Sequence, residues 1–128
     1  MIVKQDAFVE AVPVNMEGAE SVTMGIPIGL NDGSYNMIMR LFSIAPGGHT
    51  PYHTHDYEHL VRVISGKGTV LDANGTAHEL AAGHSVFVAP NEKHQFCNPY
   101  GEPFEFTCTV LNVGEKSVIK DCMPKCNC

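Results

Sequence analysis

Four of the seven histidines in the chain stand at spacings that coordination chemistry can use. His53 and His55 are separated by one residue. On a strand such neighbours share a face with Cα atoms roughly 6.6–6.8 Å apart, close enough for both imidazoles to reach one ion. His59 follows four residues later. On a straight strand it would lie roughly 13 Å further on, so it joins the pair only if Asp56-Tyr57-Glu58 turns the chain into a new strand. Glu58 is the substitute ligand if that turn runs differently. His94 comes after Ala89-Pro90-Asn91-Glu92-Lys93, where Pro90 suits the end of one strand and His94 the start of the next. The chemistry this set points to is the binding of one divalent metal ion. No spacing links His49, His78 or His84 to the set, and they read as surface residues.

Four neutral imidazoles would leave such an ion its full +2 charge. A six-coordinate ion would also keep two open positions. Its partners are then anions or enolates that chelate through two oxygens, or, for a redox-active ion, a substrate and dioxygen side by side. Ligand type alone admits Mn, Fe, Ni, Cu, Zn and Co.

The elements that must position these residues are short strands. Twelve Gly and eight Pro leave few windows of ten residues without a helix breaker. Runs rich in Val, Ile, Phe and Thr lie between them at residues 37–44, 60–64, 69–72, 85–88, 94–97 and 104–113, with weaker candidates at 22–28, 50–53 and 77–80. Ala73-Asn74-Gly75 predicts a hairpin, because Asn-Gly tolerates positive φ at both centres of a type I′ turn. Strands at this density predict an all-β barrel or double-sheet sandwich. The chain reads as an N-terminal arm or edge strand over 1–20, a barrel over 21–114 and a cysteine-bearing tail over 115–128.

Two ordered motifs carry a family resemblance. Gly47, His53-Thr54-His55, His59 and Gly66 resemble the first signature of the cupins, G-x5-H-x-H-x3-4-E-x6-G. Gly83, Pro90, His94 and Asn98 resemble the second, G-x5-P-x-G-x2-H-x3-N. The second is altered here: six residues separate Gly83 from Pro90, Glu92 replaces a glycine, and His94 comes one residue early. The usual glutamate of the first signature is His59. The run His-x-His-x-aromatic-Glu-His is similar to a subgroup of small single-domain cupins in which four histidines hold the metal. Arg40-Leu41-Phe42, Pro46-Gly47-Gly48 and Pro90-Asn91-Glu92-x-His94 also resemble that subgroup, while Tyr57 and Leu60 stand where it commonly has Trp and Glu. The resemblance spans roughly residues 25–113. It implies a single-domain cupin, a double-stranded β-helix or jelly-roll barrel, with His53, His55, His59 and His94 as ligands of one ion per chain. It also favours manganese or iron. The activity implied is a metal-dependent oxygenase or dioxygenase acting on a small molecule. Non-redox isomerase or lyase chemistry is the second enzyme reading, and a non-catalytic binding or sensing module the third.

Strand alternation assigns the cavity wall. Arg40 shares a face with Ile38, Phe42 and Ile44; His94 with Phe96 and Asn98; Cys108 with Phe104, Phe106 and Val110. Ile38, Phe42, Phe96, Phe106 and Cys108 are therefore expected to line the pocket. Arg40 reads either as an anchor for a carboxylate or enolate, or as a rim salt bridge to one of the nine glutamates. Cys108 reads as core packing, and Tyr52 and Tyr57 as packed aromatics. Leu60 and Ile64 fall on the opposite face, which another sheet, the arm or a second subunit must cover, and a homodimer is expected.

Composition closes off other functions. A net charge of −6 repels phosphate backbones and argues against nucleic-acid partners. Apolar stretches are too short for a membrane span, and the N-terminal Met1-Ile2-Val3-Lys4-Gln5-Asp6 has no signal-like apolar core, so the cytoplasm is the expected compartment. Glycine-rich phosphate loops and G-x-S-x-G or H-E-x-x-H motifs are missing from the sequence. Cys122, Cys126 and Cys128 read as a reduced, thiol-bearing tail, with a soft-metal or redox site as the alternative. Ligand imidazoles must be neutral. Bound metal should therefore leave as pH falls through and below about 6.5, displaced downward by the strength of binding. Metal content after dialysis across that range checks this, and full retention at pH 4 would contradict an all-histidine site.

Overall fold

The computed structural model describes residues 1–112. The cysteine tail and the last residue of the strand expected at 104–113 lie outside the described residues. Nine strands carry the chain: β1 (Val12–Pro13), β2 (Glu20–Ile28), β3 (Met37–His49), β4 (His59–Ser65), β5 (Lys67–Leu71), β6 (Ala77–Ala81), β7 (Ser85–Val88), β8 (Gln95–Cys97) and β9 (Phe104–Leu111). Among the described residues the helical pieces are two single 3-10 turns, Asp6–Phe8 and Leu30–Asp32. None is long and apolar enough to cross a membrane.

The strands pair antiparallel in the order β6-β5-β8-β3-β9-β4-β7, with β2 on β3 and β1 on β2. β3 serves both halves. Its first eight residues pair with β9, from Met37 opposite Leu111 to Ile44 opposite Phe104. Its end turns away, so that His49 pairs with Cys97 of β8. Gly47 sits at this corner with φ of 83°, a conformation a side chain disfavours. The two halves curl towards each other and leave β6 and β7 at the two ends of this order, with β1 the outer edge of the β1–β2 branch. This is the expected all-β, single-domain architecture.

Period-2 alternation drives the closure. On β4 the buried residues are His59, Val61 and Val63, with Leu60, Arg62 and Ile64 outside. On β9 Phe104, Phe106, Cys108 and Val110 are buried. Phe106 is the hub, with ring centres 4.7 Å from Phe96, 5.1 Å from Phe104 and 5.3 Å from Phe42. Burying each such ring contributes about 1.5–3 kcal/mol. Gly68 makes room for them, since a Cβ there would stand 2.2 Å from the Phe104 ring.

Two local expectations are corrected. Residues 50–53 form no strand, only an isolated bridge between His53 and His94. Pro51 has no N–H to give a ladder, and the Thr50 hydroxyl takes the Phe96 amide at 2.9 Å in place of a carbonyl. The 73–75 turn is not type I′, because Gly75 alone takes positive φ, 80°. Gly75 N–H donates to the Asp72 carbonyl, and Asp72 N–H donates to the Thr76 carbonyl. That pattern is a three-residue loop closed by a glycine bulge.

Asp72 anchors this hairpin. Its Oδ2 lies 2.8 Å from His78 Nε2, and its Oδ1 accepts the amides of Asn74 and Thr76 at 2.9 and 3.0 Å. The His78 bond, then the Thr76 and Asn74 amides, hold its carboxyl below the ordinary aspartate value. A depressed folded-state value stabilises the fold above the unfolded value of about 3.9 and loses that contribution as pH falls through the depressed one. Asp72→Ala should therefore melt below wild type at neutral pH. The two melting curves should converge under strongly acid conditions, which a thermal denaturation series checks.

Candidate metal centre

The chain reverses between His55 and β4, and this reversal brings His59 back to the first two histidines. Ring centres of His53 and His55 lie 4.3 Å apart, His55 and His59 5.3 Å, and His59 and His94 4.9 Å. His53 and His94 stand 5.2 Å apart, and His55 and His94 6.1 Å. All four rings thus gather at one place. Backbone bonds fix the approach: His53 and His94 exchange N–H···O bonds of 3.2 and 3.0 Å, and Asn91 N–H donates to the His55 carbonyl at 2.6 Å. Asn91 takes the left-handed conformation, φ 64°, that this turn requires. Tyr57 stacks on His55 with ring centres 4.8 Å apart. Glu58, the substitute ligand, is exposed, whereas His59 is fully buried.

Hydrogen bonds select tautomers. His94 Nδ1 lies 2.8 Å from the Glu92 carbonyl, which can only accept, so Nδ1 carries the proton and a neutral ring presents its lone pair at Nε2. His59 Nδ1 lies 3.3 Å from Arg40 Nη2 and 3.3 Å from Cys108 Sγ. Arg40 only donates, so a bond to it puts the His59 proton on Nε2. A bond from Nδ1–H to Cys108 Sγ instead leaves the Nε2 lone pair available. Arg40 Nη2 reaches the same sulfur at 3.0 Å, so Cys108 can satisfy both groups. In either arrangement His59 Nε2 is buried with no hydrogen-bond partner among the described residues. A buried polar atom left so costs about 1–3 kcal/mol.

Donor type and gathering fit a metal. His53 and His55 Nε2 stand 3.2 Å apart. Two nitrogens about 2.1 Å from one ion at right angles are about 3.0 Å apart, so the spacing suits neighbouring ligands as well as a hydrogen bond. The set is gathered and not closed: among the described residues no three His, Cys, Asp or Glu side chains stand in metal-holding geometry.

Arg40 is fully buried, so it occupies no rim. Its Nε lies 3.4 Å from the Cys108 carbonyl, and its Cζ 5.3 Å from the centre of the Phe42 ring. Cys108 is buried as expected and also touches His59. Ile38, Phe42, Phe96 and Phe106 are fully buried and packed together in the core. A cavity of about 380 Å³ lies beside His94, lined by β5, β6, β7 and Glu92-Lys93. Asn98 is a clamp, its Nδ2 donating to the carbonyls of Ile44 and Glu102 at 2.8 and 2.7 Å. His49, His78 and His84 stay outside the cluster, bonded to Thr50, Asp72 and Ala81 respectively. Sequence reasoning missed Asn91 and Lys93. Pro90-Asn91 was a readable turn signal for the first, and nothing local marked the second.

This fold and these motifs belong together, and the chain is a member of the cupin family: the cupin domain model matches residues 40–110. The chain is 32% identical over 73 residues to 1-methylthio-D-xylulose 5-phosphate methylsulfurylase of Rhodospirillum rubrum. That match covers 56% of this chain and 46% of the enzyme, so it spans less than half of that relative's length. Among solved structures, it is similar to the polyketide cyclase RemF from Streptomyces resistomycificus. The TM-score is 0.83 at 27% identity, over 87% of this chain and 79% of that one. A predicted oxalate decarboxylase from Thermotoga maritima shares the fold, with a TM-score of 0.75 at 20% identity over 86% and 98% of the two chains.

Proposed function

We propose that His53, His55, His59 and His94 hold one divalent metal ion, and that the chain is a metal-dependent enzyme acting on a small molecule. The observation that carries this reading is His59 Nε2, a buried ring nitrogen without a hydrogen-bond partner among the described residues, amid three other imidazoles. Coordination answers that atom. Four neutral nitrogens suit Mn, Fe, Ni, Cu, Zn and Co, and the four-histidine resemblance favours Mn or Fe.

When bound, the ion supplies Lewis acidity or, if redox-active, electrons for dioxygen chemistry. The protein supplies the rest. The Glu92 carbonyl sets the tautomer of His94, and Cys108 with Arg40 holds His59 from behind Nδ1. Phe96 and Phe106 exclude water behind His94. The reaction we favour is non-redox rearrangement of an enolisable substrate, supported by the likeness to a named polyketide cyclase. The oxygenase reading follows from the resemblance to the four-histidine subgroup and stands second.

Elemental analysis of tag-free protein should find about one ion per chain, and His59→Ala should weaken retention at least about tenfold. Unchanged metal content in His59→Ala, or none in wild type reconstituted with Mn, Fe or Zn, would refute the site. Turnover without oxygen consumption would favour the non-redox reading, and oxygen uptake the other. Ligand-induced stabilisation without turnover would mark a binding module.

We also propose a homodimer. Met37, Met39, Leu60, Phe87 and Leu111 are between 39% and 57% exposed. Register places Leu60 opposite both Phe87 and Thr109, Met39 opposite Thr109, and Met37 opposite Leu111. The face is therefore continuous across four strands, the kind of patch that marks an interface. Light scattering should give twice the 13.9 kDa chain mass, and a species of 13.9 kDa at micromolar concentration would refute the dimer.

A further inference from the structure

The cavity beside His94 opens at the seam between β6 and β7, the two ends of the main strand order. Val70, Leu80, Val86 and Val88 give it apolar walls, and buried His94 closes its inner end. Asp72, His78, Glu92 and Lys93 bring its charge. Both carboxylates are already engaged. Asp72 binds His78 and two backbone amides, and Glu92 Oε1 accepts the Ala89 amide at 3.1 Å. Lys93 is different. Its Nζ lies 4.3 Å from the centre of the Tyr52 ring, and among the described residues no carboxylate lies within 4.0 Å of it. The Tyr52 hydroxyl donates to the Asp72 carbonyl, which pins the ring beneath the ammonium. A cation held on an aromatic face keeps donors for an anion on its other side. The cleft thus combines apolar walls, an imidazole end and one ammonium at the rim that pairs with no carboxylate within 4.0 Å among the described residues.

We infer that this cleft takes a small apolar anion, a carboxylate or enolate on a hydrocarbon body, and that Lys93 is the residue that selects for its charge. The inference rests on the proposed site in that the His94 end is where the reacting group would lie. A volume of about 380 Å³ is ample for a two-ring molecule.

Three isosteric probes test it by fluorescence titration of the full chain: 1-naphthoate, neutral 1-naphthamide and cationic 1-naphthylmethylammonium. Wild type should bind naphthoate about tenfold more tightly than naphthamide, the value of one charge-assisted bond. Lys93→Gln should abolish that preference without changing naphthamide affinity, and Lys93→Arg should restore it. Equal naphthoate affinity in wild type and Lys93→Gln would overturn the assignment, as would no saturable binding of any probe. The series is repeated on metal-stripped protein and on His59→Ala. A preference lost with Lys93→Gln but kept in these two upholds the anchor even if the metal reading fails. A preference lost on stripping and kept in Lys93→Gln overturns the anchor and leaves the metal reading standing.

Discussion

A histidine ring enclosed by aromatic and aliphatic side chains must have both nitrogens answered, and the centre of this molecule is organised around that requirement at His59. One nitrogen is met from behind, by Cys108 and Arg40, which directly oppose one another across β3 and β9. The other has no hydrogen-bond partner among the described residues. The price of that arrangement falls on Arg40, whose guanidinium is buried in the core. Removing a cation from water costs several kcal/mol unless its hydrogens are met, and the Cys108 carbonyl and the Cys108 sulfur both take part in meeting them. A barrel that only needed stability would place a leucine at position 40. Arg40, Cys108 and the His59 ring thus form one buried device in which His59 Nδ1 is answered from within the protein.

Register makes the device possible. β4 lies between β7 and β9, so His59 rests beside Val88 on one side while Val61, next but one along, faces Cys108 on the other. A slip of one residue would exchange Leu60 for His59 in the interior and bring an isobutyl group where the ring now stands. The alternation that closes the core therefore also fixes the site, and the aromatic cluster around Phe106 holds both.

This division explains what could be read from the residues alone. Period-2 patterns on residues 37–44, 60–64 and 104–111 were legible because each has one buried and one exposed face. Residues 50–53 misled, since Pro51 breaks a ladder that the apolar pattern cannot reveal and the Thr50 hydroxyl stands in for a main-chain group. The Asn74-Gly75 pair announced a turn but not its type, because the Asp72 carboxylate captures two amides and steers the loop. His59 was an expected member of the cluster only on condition that the chain reverse at Asp56-Tyr57-Glu58. Spacing states that condition and cannot show that it is met. Arg40 lay on an apolar face from the start, yet no periodicity distinguishes a buried cation from one at a rim. Its partner Cys108 is 68 residues away and becomes its neighbour only through strand pairing.

The seam cavity belongs to the same class of tertiary fact. A curled sheet must end somewhere, and here both ends, β6 and β7, fall beside the histidine cluster. Exposed edges normally invite pairing with another chain. This pair is short, five and four residues, and the space between them is floored by valine and leucine side chains. The gap that the fold leaves open is thus too short to make a good strand partner and has the polarity of a ligand pocket. Pro90-Asn91-Glu92-Lys93, which delivers His94 to the interior, also sets Lys93 beside this cavity.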